Sequence, residues 1–210
     1  MSVKPILFNT EMVRAMLDGK KSCTRRIVKG FIPNDAVWGY TAFTPKGCIS
    51  CRGTFADGYG EKFFKLPYQP GDILYVRESY SELSFGYVYK ADGENIDHLG
   101  NAIKWHPSIH MPKEAARIWL KVTDIRVERL QEIDEDGAVK EGIYVGNCKD
   151  CNAPFGCDAC PDEGYNEIDE FAELWDSTIK KSDLTCYGWN ASPWVWVIEF
   201  ERCKKTGAEP

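Results

Sequence analysis

Residues 17–26 read Leu-Asp-Gly-Lys-Lys-Ser-Cys-Thr-Arg-Arg, with four cations and two hydroxyls in the seven positions after the glycine. In an extended segment Ser22, Thr24 and Arg26 share one face, and Cys23, Arg25 and Ile27 take the other. The amine of Lys21, the hydroxyl of Thr24 and the guanidinium of Arg26 then converge on one small volume. Such a group can activate a nucleophile and hold an anion or a carbonyl-rich base. If Lys21 is partly buried beside Arg25 and Arg26, desolvation and like charge disfavour its ammonium form. The neutral amine can then accept a proton from Thr24 or from a water. Composition alone also allows a solvated basic turn, in which Lys21 contributes little to the core.

Several elements must position these groups. Met12, Val13, Met16 and Leu17 recur at helical spacing, so residues 10–18 read as a helix with one buried face, which Gly19 stops. Residues 4–8 and 22–28 read as strands. Residues 30–66 are rich in Gly, Pro and aromatics without a steady period and read as an insertion with short strands, closed by Pro67 and Pro70-Gly71. Residues 72–79 form a strand, and the alternating residues 85–91 are expected to pair with it. Ile118, Leu120 and Val122 alternate, then Ile125 and Val127 continue out of phase. That one-residue slip at Thr123-Asp124 predicts a bulge. Asp134 caps a short helix that ends at Glu141, with Gly142 as its stop. Phe171, Leu174, Trp175 and Ile179 mark an amphipathic helix. Trp194, Trp196, Ile198 and Phe200 share a face of the last strand.

At 210 residues the chain reads as a single domain with insertions at about 30–66 and 144–166. Its net charge of −6 excludes broad duplex DNA binding, which needs an extended cationic face. A local basic pocket for a nucleoside or an RNA loop remains compatible, and the 13% aromatic content supplies rings for stacking. No apolar run is long enough to span a membrane and no signal peptide is evident, so a cytoplasmic location is expected. In that compartment nine cysteines are not a disulfide framework. Cys148-x2-Cys151 and Cys157-x2-Cys160 are two knuckles with the ligand type of a closed, structural zinc site. Their short spacer leaves open that Cys48 and Cys51 replace one pair. His106 and His110 stand four apart, but Pro107 favours an extended turn over a metal-binding helix.

The motif Gly19-Lys20-Lys21-x-x-Thr24-x-Arg26 resembles the signature of the ASCH domain, a family related to the PUA domains of RNA-modifying enzymes. Pro70-Gly71-Asp72-Ile73-Leu74-Tyr75-Val76, Glu141-Gly142-Ile143 and Trp194 to Phe200 resemble three further blocks in the expected order. Residues 107–130 resemble ASCH proteins of phages and prophages. The resemblance implies an α+β fold: a PUA-like small mixed β-barrel with packed helices and two loop insertions, one or both Cys-rich. It also implies function. Bacterial relatives are amidohydrolases acting on N4-acetylcytidine, and their Lys-Thr-Glu triad falls on Lys21, Thr24 and Glu141. Arg26 falls on a substrate position, with Arg25, Lys20 and Glu78 as further substrate-site candidates and Glu78 the rival carboxylate to Glu141. Other readings stay open: a non-catalytic RNA-binding module, a ribonuclease, or a phage regulator acting through protein contacts. The expected partner is a modified nucleoside or RNA, without a membrane. Protein purified without chelator should carry about one zinc per chain, the ratio for one four-thiolate site. Metal-free protein with all of these thiols reactive would refute that expectation.

Overall fold

The computed structural model describes residues 2–93, 95–96, 99–143 and 167–205. In chain order the strands are β1 (Val3–Leu7), β2 (Cys23–Ile27), β3 (Val37–Gly39), β4 (Cys48–Phe55), β5 (Gly58–Lys65), β6 (Ile73–Arg77), β7 (Tyr80–Leu83), β8 (Gly86–Tyr89), β9 (Trp119–Arg129) and β10 (Trp194–Cys203). The helices that matter here are α1 (Thr10–Leu17), α2 (Glu135–Lys140) and α3 (Glu167–Thr178). One five-stranded sheet runs β1-β6-β9-β10-β2, with β1 and β6 parallel and the other pairs antiparallel. The insertion forms its own antiparallel sheet, β3-β4-β5, and β7 and β8 form a hairpin. Among the described residues no helix is long and apolar enough to cross a membrane.

Two expectations are corrected. The alternating segment at 86–89 pairs with β7, not with 72–79, because Ser84 and Phe85 make a tight local turn into Gly86 and the nearer strand takes the partner. The main sheet is also open among the described residues: no barrel closes, and β1 and β2 are its two edges. A side chain bridges those edges instead. Arg26 Nη2 donates to the Leu7 carbonyl at 2.9 Å, so a guanidinium occupies a place that a backbone ladder would need.

The predicted slip on β9 is a bulge. Glu199 faces Asp124 and Phe200 faces Val122, which leaves Thr123 as the extra residue. The bulge keeps Leu120, Val122, Ile125 and Val127 on one face despite their change of phase, and that face packs in the main core with Ile6, Val76, Ile198 and Phe200. Val13 and Met16 of α1 seal it, each fully buried. Trp38 of β3 makes edge contacts with Trp194 and Trp196 at 5.7 and 6.2 Å, which seats the inserted sheet on the same core. The opposite face, with Cys23, Val195 and Val197, packs on Ala138 of α2 and on Phe171 and Trp175 of α3. Each such large side chain contributes about 1.5–3 kcal/mol relative to exposure.

Asp72 shows what the Pro-Gly-Asp block is for. Burial alone would raise its pKa, but bonds from Lys4, Ser2 and the Gln69 N–H hold it at about 2. The carboxylate thereby clamps the start of β1 to the start of β6. At the other end of the site, Asp134 caps α2 by accepting from the Gly137 N–H at 2.7 Å. Gly142 follows the helix at φ +91°, and a Cβ there would stand 2.8 Å from Ala15 Cβ and 3.2 Å from Lys21 Cβ. Gly142→Ala should therefore cost about 2–4 kcal/mol from positive φ and overpacking together. For a chain of this length that is roughly 5–15 °C in Tm by calorimetry. An unchanged Tm would contradict the close approach of α2, α1 and the Lys21 turn.

Candidate functional site

The site is built where the turn after α1 meets the end of α2. Gly19 takes φ +72°, and the N–H groups of Lys20 and Lys21 both donate to the Ala15 carbonyl at 2.8 and 3.1 Å. That closes the helix and turns Lys21 inward. The Ser22 N–H then bonds the last carbonyl of α2, at Lys140, at 2.9 Å. The β2 strand is thus pinned to the helix that carries Glu141.

Lys21 and Glu141, which the resemblance assigned to one triad, are in direct contact. Lys21 Nζ lies 2.6 Å from Glu141 Oε2 and 2.7 Å from the Glu141 carbonyl oxygen, and the lysine side chain has no exposed surface. Lys21 is therefore no solvated turn residue; it is part of the core. The other carboxylate oxygen, Oε1, receives Arg25 Nη1 at 3.3 Å, and Arg25 Nη2 stands 3.5 Å from Glu128. Arg25, a substrate-site candidate, bridges the two carboxylates, so it holds Glu141 in place while its side chain also lines the adjoining cavity. Burial pushes the Lys21 amine below its ordinary value of 10.5, Glu141 pushes it back up, and Arg26 lowers it again. The neighbouring Cys23 thiol is driven to about 12, first by burial and then by the Glu141 charge.

Beside this pair lies a cavity of about 410 Å³, set in the gap between the two edge strands. Leu7 of β1 and Thr24, Arg25 and Arg26 of β2 face each other across it, with Glu141 on its wall. Tyr68 closes one side, its hydroxyl donating to the Pro5 carbonyl at 3.0 Å, and Phe171, Leu174 and Trp175 of α3 close another. Mostly apolar walls with a few converging polar groups are the usual make-up of a small-molecule site. Thr24 is only 1% exposed, and its hydroxyl has no hydrogen-bond partner among the described residues although it lines the cavity. A buried hydroxyl left unpaired costs about 1–3 kcal/mol, so this group is poised for a ligand. Arg26 packs over the Phe8 ring at 5.3 Å and keeps its cation at the cavity edge. Lys21 does not line the cavity; its amine sits behind the Glu141 carboxylate.

The remaining candidates fall elsewhere. Lys20 is exposed on the turn and does not line the cavity. Glu78 is buried but tied by Arg117 at 2.9 and 3.0 Å, and Arg117 also holds Asp92 at 2.8 Å. Glu78 is thus spent on fixing the segment before β9, and Glu141 is the carboxylate at the cavity. Cys148, Cys151, Cys157 and Cys160 lie outside the described residues. Cys48 and Cys51 stand three apart in β4, which places them on opposite faces of that strand. Among the described residues no group of three His, Cys, Asp or Glu side chains is placed to hold a metal. The His106–His110 segment is not an α-helix, and His106 stacks on Tyr80 at 5.4 Å.

Sequence reasoning missed Tyr68 and the α3 wall as cavity residues. The α3 stripe looked like core, and it is; the same residues that pack on Val197 also present a flank to the cavity. No family model, no curated protein and no solved structure matches the chain.

Two buried cations share one carboxylate, so the order of losses is fixed. Glu141→Leu strands two cations and should cost about 3–5 kcal/mol in urea unfolding, whereas Lys21→Met leaves Arg25 on the carboxylate and should cost less. Because folding lowers the Lys21 pKa, the unfolded chain binds the extra proton between the folded value and 10.5. In that window stability from this group rises with pH. Wild type should gain on Lys21→Met as pH approaches 10.5; a gap that narrows with pH would contradict the burial of this amine.

Proposed function

We propose that the chain is a PUA-like ASCH-domain hydrolase that cleaves the amide of an acylated nucleobase in the cavity between β1 and β2. The observation that carries this reading is the Thr24 hydroxyl, buried, unpartnered and facing the cavity, on the strand that also positions the Lys21–Glu141 pair. The apolar walls suit a flat heteroaromatic ring, which Tyr68 and Trp175 flank.

In this mechanism Thr24 Oγ1 attacks the acyl carbon, and its proton passes to the Lys21–Glu141 pair. The carbonyl oxygen takes up negative charge and Arg26, at the cavity edge, stabilises it. The C–N bond then breaks and the pair returns the proton to the leaving exocyclic nitrogen. Water hydrolyses the acyl-threonine ester, which gives the free carboxylic acid and regenerates the hydroxyl. Lys21 acts from behind the carboxylate: it sets the charge and orientation of Glu141 rather than touching the substrate. A second reading, binding of a modified base without turnover, is favoured by that same placement, since the amine is wholly engaged by Glu141.

Thr24→Val separates the two. The hydroxyl makes no hydrogen bond among the described residues, so the variant should keep its Tm while losing about 10²–10⁴-fold in kcat on N4-acetylated nucleosides. Thr24→Ser should retain part of the activity and, with slow substrates, an acyl adduct visible by mass spectrometry. Full activity in Thr24→Val would end the nucleophile assignment. Tight binding of acylated bases by wild type with no acid released would favour the binding reading.

A further inference from the structure

The outer face of the inserted sheet carries a surface that the cavity does not use. Strand β5 presents Tyr59 and Phe63 on the face turned away from Trp38 and Phe64, which pack on the core. Tyr59 is 75% exposed and Phe63 42%, and neither ring has a partner among the described residues. Four residues apart on one strand, the rings stand about 13 Å from each other, with their faces free. Between them, across the ladder, lies Arg52, paired in register with Glu61; Lys65 follows Phe63 two residues on, and Lys46 precedes β4 at that same end.

The charges on this face are unequal in their commitments. Glu61 accepts from the hydroxyls of Ser50 and Thr41 and is held down on the sheet. Arg52, Lys65 and Lys46 are exposed and have no ion-pair or hydrogen-bond partner among the described residues. Residues 29–65 carry five cations against three carboxylates, a balance of +2 in a chain of net charge −6, which leaves −8 for the rest. Free cations beside free rings on a flat strand match an occupant that is both polyanionic and aromatic. A protein partner would call for a continuous apolar patch, and the Arg52–Glu61 row interrupts this one. Duplex DNA would need a wider cationic surface than three side chains provide.

We propose that the β3-β4-β5 face binds single-stranded nucleic acid, with bases stacked on Tyr59 and Phe63 and phosphates held by Arg52, Lys65 and Lys46. The ring faces take any base, so the binding is tolerant of sequence, and the cations make it sensitive to salt. This stands apart from the hydrolase reading, because the face lies on the other side of the inserted sheet from the core.

Fluorescence anisotropy with labelled oligouridylate, oligothymidylate and a duplex of mixed sequence tests it. Both single strands should bind the full-length protein and the duplex should not; a preference for the RNA strand would add recognition of the 2′-hydroxyl to the stacking. Tyr59→Ala and Phe63→Ala should each weaken binding about tenfold, and Tyr59→Phe should preserve it. Arg52→Ala should reduce the slope of log affinity against log salt by about 0.7. All of these side chains are exposed, so the variants should keep the wild-type Tm. Thr24→Val should bind like wild type, which separates this surface from the cavity. Absence of single-strand binding, binding unchanged by both ring variants, or rings that serve only to pair two copies in sedimentation would overturn the proposal.

Discussion

A single buried carboxylate organises this molecule. Glu141 accepts from Lys21 on one oxygen and from Arg25 on the other, and at that depth a buried cation needs such a partner to offset the loss of water. The requirement reaches into the local geometry of three elements. Gly19 must turn the chain so that Lys21 points inward. Gly142 must lack a side chain so that the α2 end can approach Lys21. Gly137 must lack one too, since a Cβ there would lie 3.1 Å from an Arg25 nitrogen. The Ser22–Lys140 backbone bond then locks the strand to the helix. A surface ion pair contributes about 0–1 kcal/mol and tolerates loose surroundings; a buried one imposes its geometry on whatever encloses it.

Much of the framework was legible in residue order. Period-3.6 spacing placed α1 and α3, Asp134 and Gly142 bracketed α2, and the phase change after Val122 located the bulge on β9 at Thr123. These signals are local, and local physics writes them. Thr24, Arg26 and Glu141, which the resemblance grouped with Lys21, line one cavity, and Lys21 lies behind Glu141. What could not be read was anything decided by who stands next to whom across the sheet. Arg25 and Arg26 are chemically alike in a string, but the pleat sends one to Glu141 and Glu128 and the other to Leu7 and the cavity edge. Glu78 and Glu141 are likewise equivalent as letters; Arg117 claims the first and leaves the second to the site.

The insertion shows a division of labour between the two faces of a thin sheet. Trp38 and Phe64 attach it to the core through edge-on ring contacts, with the two rings 5.2 Å apart. On its outer side Tyr59 and Phe63 stay exposed, so core packing does not account for these two rings. On the main sheet both faces are covered, one by α1 and the insertion and the other by α2 and α3, and the gap between the edges β1 and β2 is where the Thr24 hydroxyl and the Arg26 guanidinium meet a cavity. The cavity occupies that interruption, with the Arg26–Leu7 bond as its bracket.

The strand order also sets a timetable. β1 and β2 are neighbours along the chain, joined by a single short helix, yet they end up at opposite edges of the sheet. Each finds its ladder partner far away: β1 with β6, and β2 with β10, the last strand among the described residues. Contacts of such long sequence separation form late, after the entropy of closing large loops has been met. During synthesis the residues around Thr24 leave the ribosome early but have no sheet to join until residues 194–203 follow. The cavity lined by Thr24 and Arg26 therefore cannot take shape until the strand at residues 194–203 has been made and has paired with β2.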